Sequence, residues 1–235
     1  MKNTILLLAL LISVTTFAQK ITGDELLEKS IEFHDPSGNW KTFYGELIVT
    51  MKTPKRTLRK SSIQIHLPRQ YFSVEAARDT IILKQIVDKG TCSYVINGNT
   101  NPSEALLEKY SLNCERAKMF KNYYTYLYGL PMKLRDKGTI INQIVTTKTF
   151  KGKEYLVLKA TYSKEVGKDT WYFYFDPKTY AMEVYQFFKE AKDSGEYILL
   201  SGLETINNIK MPKNRAWYYN KDSSYLGTDV LSSKK

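Results

Sequence analysis

Few residues in this chain could do chemistry at neutral pH. There are two histidines, His34 and His66, and two cysteines, Cys92 and Cys114. A histidine exchanges protons near physiological pH, so His34 beside Asp35 is the candidate pair for general acid–base work and would make the chain a hydrolase. A structural reading competes with it. The pair falls where a helix ends at Pro36-Ser37-Gly38, and a cationic imidazole is favourable at a helix C-terminus. Asp176 and Glu183 flank the Asp176-Pro177 turn and could pair there, although turn chemistry accounts for Asp176. His66 falls on the solvent side of a strand. Two histidines exclude a three-histidine metal site, and zinc ligation by His34, His66, Cys92 and Cys114 would lack the usual close ligand pairs. Gly-x-Ser-x-Gly, His-Glu-x-x-His and the glycine-rich phosphate loop do not occur. No catalytic residue, metal or cofactor is assigned.

The cysteines read differently once the N-terminus is considered. Lys2, the apolar run Ile5–Val14 and the small-residue site Thr16-Phe17-Ala18 form a signal-peptide pattern over residues 1–18. The run is well short of the roughly 20 residues that span a bilayer core. Gln19, rather than cysteine, follows the cleavage site, so the expected product is exported, periplasmic or extracellular, and not lipid-anchored. No later apolar stretch reaches spanning length. In an oxidising compartment Cys92 and Cys114 are expected to form a structural disulfide, since the close spacing of a redox-active pair is missing.

The formal charge is +11, and basic residues cluster at Lys52, Lys55, Arg56, Arg59 and Lys60 and again at Arg116, Lys118 and Lys121. Such patches suit an anionic lipid or envelope partner, or serve only for solubility. With export and no recognition motif, no nucleic-acid partner is expected.

The elements that must carry these residues follow from periodicity. Thr22-Gly23-Asp24-Glu25 is a capping box opening a helix toward His34. From Trp40 the period becomes two, and Phe43, Gly45, Leu47, Val49 and Met51 alternate with Tyr44, Glu46, Ile48, Thr50 and Lys52 along a long strand. Shorter strands are expected around Ile63–Leu67 and at Tyr71–Arg78, Thr80–Val87 and Thr91–Ile96. Asn101-Pro102-Ser103-Glu104 signals a helix start with proline at the first helical position. A longer helix over 113–128 carries the stripe Ala117, Phe120, Tyr124 and Leu127. Seven more strands are expected: Gln143–Phe150, Glu154–Thr161, Thr170–Phe175, Met182–Phe188, Glu196–Thr205, Arg215–Asn220 and Tyr225–Val230. Tight turns at about ten-residue spacing make this an antiparallel meander. No repeat or linker divides residues 19–235, which are expected to form one domain.

The late strands violate simple amphipathic alternation. Trp171-Tyr172-Phe173-Tyr174-Phe175 is aromatic on both faces and Val184-Tyr185-Gln186-Phe187-Phe188 is nearly so, whereas a one-sided antiparallel sheet should alternate. Two arrangements satisfy this: a sheet curved around an apolar cavity, or an ordinary filled core with tyrosine hydroxyls reaching water. The fold class expected is mainly β (α+β): a curved antiparallel half-barrel of about 11–12 strands with an N-terminal helix and a helical lid.

Five blocks carry a resemblance: HDPSGNW (34–40), NCERAKMFKNYYTYLYGLPMKL (113–134), FKGKEYLVLK (150–159), GKDTWYFYFDPKTYAMEVYQFF (167–188) and IKMPKNRAWYYNKDSSYLGTD (209–229). They resemble a family of secreted bacterial proteins of unknown function. More distantly, FDPKTYAMEVY, then GEYILL and IKMP, is similar to the periplasmic lipoprotein carriers of LolA/LolB type. That resemblance implies a half-barrel and a helical lid around a cavity for acyl chains, and it favours the cavity. No carrier residue maps here position by position. The ligand expected is apolar or lipid-like, held by wall residues Trp171, Phe173, Phe175, Val184, Leu158, Leu200 and Trp217 and by lid residues Phe120, Tyr124 and Leu127. An envelope interaction protein using a tyrosine-rich surface is the alternative.

Overall fold

The computed structural model describes residues 20–78, 80–191 and 193–233. The signal-peptide pattern at 1–18 lies outside the described residues.

The first helix, α1 (Gly23–His34), begins as its capping box dictates. The Thr22 amide donates to Glu25 Oε2 at 2.8 Å, and the Glu25 amide donates to Thr22 Oγ1 at 3.3 Å. A 3-10 turn, Asn39–Thr42, then leads into five antiparallel strands: β1 (Tyr44–Thr53), β2 (Arg56–His66), β3 (Tyr71–Arg78), β4 (Ile81–Asp88) and β5 (Thr91–Ile96). Two helices follow, α2 (Glu104–Lys109) and α3 (Cys114–Gly129), and a second 3-10 turn at Met132–Arg135. The chain then returns to strand: β6 (Thr139–Ile141), β7 (Thr146–Phe150), β8 (Lys153–Tyr162), β9 (Thr170–Phe175), β10 (Met182–Phe188), β11 (Glu196–Ile206), β12 (Ile209–Tyr219) and β13 (Tyr225–Ser233).

All thirteen strands join one unclosed, curved antiparallel sheet in the order β5-β4-β3-β2-β1-β13-β12-β11-β10-β9-β8-β6, with β7 also paired to β8. Two meanders therefore meet where β1 pairs with β13 (Leu47 opposite Ser233, Met51 opposite Asp229). The chain leaves the sheet at the β5 edge and re-enters at the β6 and β7 edge, and α3 packs on the inner face of β3, β4 and β5 on the way.

The short strand β6 goes beyond the twelve read from sequence. Strand β12 begins six residues earlier than expected. Pro212 sits in its first part, opposite Leu203 of β11, while the ladder to β13 starts only at Asn214. A proline is tolerated where one side of a strand needs no donor. The α2 start is also corrected: Ser103 is the N-cap, without a side-chain cap bond, and Pro102 precedes the helix.

The doubly apolar strands now have an account on each face. The concave face holds the main core, with Leu158, Phe173, Phe175, Tyr185 and Ile198 all fully buried against α1 and α3. The convex face carries a smaller cluster, Tyr155, Val157, Tyr174 and Val184, covered by Phe150, Tyr172 and Leu199. Ring contacts extend it from Phe150 to Tyr197 (5.3 Å) and from Tyr197 to Tyr218 (5.0 Å). Edge-to-face and offset aromatic pairs of this kind stabilise beyond their buried area.

Candidate functional site

The concave face has two unlike ends. At one, α1 and the turn at Asn39–Thr42 fill the space between the sheet's curved walls with Leu26, Leu27, Trp40 and Phe43, all buried. His34 belongs to this end. Its side chain is fully buried, with Nδ1–H donating to the Lys210 carbonyl at 2.6 Å and Nε2 accepting from the Met182 amide at 3.0 Å. Burial lowers its pKa to about 4, so the ring is neutral at physiological pH. Asp35 does not touch it. Its two oxygens instead accept from the Asn39 and Trp40 amides at 2.8 Å each. The hydrolase pair is therefore not assembled, and the helix-dipole reading also falls because it needs an imidazolium. His34 instead ties α1 to β10 and β12.

The carboxylates at the Asp176-Pro177 turn do meet, but through a lysine. Lys153 Nζ lies 2.8 Å from Asp176 and 2.7 Å from Glu183. That lysine, with the Thr179 and Lys178 amides, holds the Asp176 carboxyl well below its ordinary range, so the pair shares a cation rather than a proton. His66 lies against Tyr44 on the outer face, with ring centroids 4.9 Å apart and the rings tilted to one another.

The other end of the concave face is open beside α3. A cleft of about 640 Å³ separates α3 from the β8–β9 connection, with Tyr126, Tyr162 and Trp171 on its walls. A second, of about 250 Å³, lies between α3 and β1, β12 and β13, and is lined by Met51, Tyr123, Trp217 and Asp229. Aromatic rings run between them without a break: Tyr126 to Trp171 (5.5 Å), Trp171 to Tyr185 (6.1 Å), Tyr185 to Trp217 (6.2 Å) and Trp217 to Tyr123 (6.4 Å). A third hollow, of about 60 Å³, lies under α3 and the α2–α3 junction against β2, β3 and β4.

These clefts sort the ten expected contact residues. Trp171 and Trp217 are half-buried and line the two larger clefts, while Phe120 and Tyr124 line the third. Leu158, Phe173 and Phe175 face the same interior but are sealed in the core, and Leu127 is buried with them. Leu200 also faces inward, at the edge of a separate surface groove. Val184 is on the opposite face. A bulge in β10 pairs Met182 with Phe175 but Val184 with Tyr174. The extra residue moves Tyr185 inward and Val184 outward, which strict alternation does not anticipate.

Helix α3 is held at both ends. Its first residue, Cys114, is disulfide-bonded to Cys92 on edge strand β5, with Cα atoms 5.4 Å apart. At its last residue, a Cβ on Gly129 would stand 2.3 Å from Trp40 Cζ2, so only glycine permits this close approach. Helix α2, by contrast, has no buried residue.

Beneath α3 runs a charged row that pattern reading missed. Arg59, Met51, Asp229 and Arg215 are successive register partners across β2, β1, β13 and β12. Arg215 is 1% exposed, donates to the Pro212 and Leu127 carbonyls and lies over the Tyr128 ring at 4.0 Å. Burial raises the Asp229 pKa, and Arg215 and Arg59 partly offset the rise. The signal was present in the sequence. Arg59 shares the inward phase of Ile63 and Ile65, and Asp229 that of Leu231.

No helix among the described residues is long and apolar enough to cross a membrane. The fold has solved counterparts. A LolA superfamily protein from Nitrosomonas europaea superposes with a TM-score of 0.52 and 11% identity, covering 91% of this chain and 92% of that one. A domain from Vibrio parahaemolyticus, described as an outer membrane lipoprotein-sorting protein, gives 0.50 and 11%, covering 90% and 92%. At such identities the likeness establishes the fold alone. No curated protein matches in sequence. A family model described as a family of unknown function (DUF6503) matches residues 2–233.

Proposed function

This chain belongs to the DUF6503 family, and we propose that it is an exported, non-catalytic carrier that binds an apolar or lipid-like ligand at the open end of its concave face. One observation carries the reading: Tyr126, Trp171, Trp217 and Tyr123 stay partly solvent-accessible in two clefts beside α3, whereas most of the same face is filled. Half-exposed tryptophans in a concave site are how apolar pockets present surface to a ligand. Trp171, Trp217, Phe120 and Tyr124 are the contact residues, and Phe173, Phe175, Leu158, Leu200 and Leu127 support them from behind. The LolA-like and lipoprotein-sorting neighbours agree with this class of ligand. The signal-peptide pattern at residues 1–18, cleaved to leave one domain from Gln19, and the Cys92–Cys114 disulfide agree with a periplasmic or extracellular site of action.

The test is titration of the purified protein with oleoyl compounds, followed by tryptophan fluorescence and native mass spectrometry. The expected result is a one-to-one adduct with a shift in tryptophan emission that is reduced in Trp171→Ala and Trp217→Ala. If no oleoyl compound adds mass or moves the emission, the carrier reading is wrong.

A further inference from the structure

The small hollow under α3 differs in kind from the two aromatic clefts. It is made by a change of side-chain size along the inner face. Inward positions on β3 run Phe72, Val74 and Ala76, and those on β2 run Ile65, Ile63 and Ser61, ending at Arg59. Small side chains therefore stand where large ones would reach α3, and Gln85 of β4 and Arg116 of α3 complete the wall. At about 60 Å³ the hollow holds a few waters or one compact polar group, and it is too small for an acyl chain.

Its chemistry is cationic. Among the described residues neither Arg59 nor Arg116 has a carboxylate within salt-bridge distance, and Asp229, two strands away from Arg59, feels its charge only at longer range. Arg59 Nε is buried without a hydrogen-bond partner, as is Gln85 Oε1, and Gln85 is 7% exposed. Buried polar atoms are seldom left unpaired, so such atoms converging on one hollow mark a place where something polar belongs. A carboxamide can offer either a donor or an acceptor by a half-turn, and a guanidinium matches carboxylate and phosphate oxygens in pairs. The hollow also adjoins the aromatic clefts. Arg59 is the register partner of Met51, which lines the cleft containing Trp217, and Phe120 and Tyr124 form the side toward α3.

We infer that this hollow receives the anionic head group, a carboxylate or phosphate, of an amphiphile whose tail lies in the aromatic clefts. The inference rests on the carrier reading and narrows its ligand to singly headed anionic lipids.

Four probes test it on the purified protein: oleate, oleoyl lysophosphatidate, uncharged monooleoylglycerol and inorganic phosphate. The two anionic lipids are expected to bind about tenfold or more tightly than monooleoylglycerol, the scale of charge-assisted hydrogen bonds. Arg59→Gln and Arg116→Gln should each remove most of that advantage and leave monooleoylglycerol within about twofold. Arg59→Lys should keep part of it. If Arg59→Gln lowers the melting temperature sharply, Arg116→Gln, at a half-buried helix position, decides. Equal affinity for charged and uncharged lipids, or loss of both together in the variants, overturns the head-group site while leaving the carrier intact. Inorganic phosphate binding as tightly as the lysophosphatidate would assign the hollow to a free anion and overturn it as well. Failure of every oleoyl compound removes the carrier reading and this inference together.

Discussion

The two ends of the concave face are built from similar residues and put to opposite uses. At the α1 end, aromatic and aliphatic side chains meet a helix whose own large residues reach the sheet, and Leu26, Leu27, Trp40 and Phe43 fill the interior. At the far end α3 lies beside a wall of tryptophans and tyrosines with a cleft on either side, and where it faces alanine and serine on β2 and β3 a small hollow remains beneath it. The comparison teaches that composition does not separate core from site here. What separates them is whether a helix presents enough volume to fill the space the sheet leaves.

The largest expected effect tests the filled end. Phe175→Ala deletes a ring that is fully buried among core residues and should cost about 3–5 kcal/mol of stability. A urea titration that shows less than about 1 kcal/mol would mean the α1 end is not the anchor described.

Acid should act on the same end. The pKa of His34 falls from 6.5 in the unfolded chain to about 4 in the folded protein, chiefly through burial. The neutral ring therefore supports the fold fully above pH 6.5. That support is lost as pH falls from 6.5 to about 4, roughly 3 kcal/mol in all. Asp176, whose carboxyl is depressed by Lys153, contributes stability above the ordinary carboxylate range and loses it only at lower pH. Melting temperatures from pH 8 to 4 should show the first loss in the wild type and a flatter profile in His34→Gln, which is less stable at neutral pH. Equal slopes would detach the effect from His34.

The smallest effect on stability is expected at the open end. Trp217→Ala should cost only about 1–2 kcal/mol, because the ring is already partly hydrated, yet weaken binding of an oleoyl ligand by about tenfold. A stability loss matching that of Phe175→Ala would erase the distinction between the two ends.

Much of the architecture is legible in the residue pattern because local chemistry decides it. Thr22 and Glu25 cap α1, and strands β3, β5, β9 and β10 begin and end where alternation and turn residues place them. The inward stripe of α3, Ala117, Phe120, Tyr124 and Leu127, is likewise legible from helical spacing. The losses occur where tertiary structure overrides a local rule. The β10 bulge reverses the phase of Val184, and Pro212 survives in β12 because that segment lacks a β13 neighbour. The inward phases of Arg59 and Asp229 are legible, but the alignment of Arg59, Met51, Asp229 and Arg215 in one row is set by the register of four strands. His34 shows the limit most plainly. Its helix-end position suggests a charged imidazole, and only its burial against distant β10 and β12 makes it neutral.

The pairing of β1 with β13 joins the earliest strand of the sheet to the last. A chain emerging N-terminus first can assemble the β1–β5 meander early, but its β1 edge stays unpaired until Tyr225–Ser233 arrive. Contacts this far apart in sequence close slowly. In the interval the β1 edge carries a row of unpaired backbone donors and acceptors, the condition in which a strand pairs with the wrong neighbour.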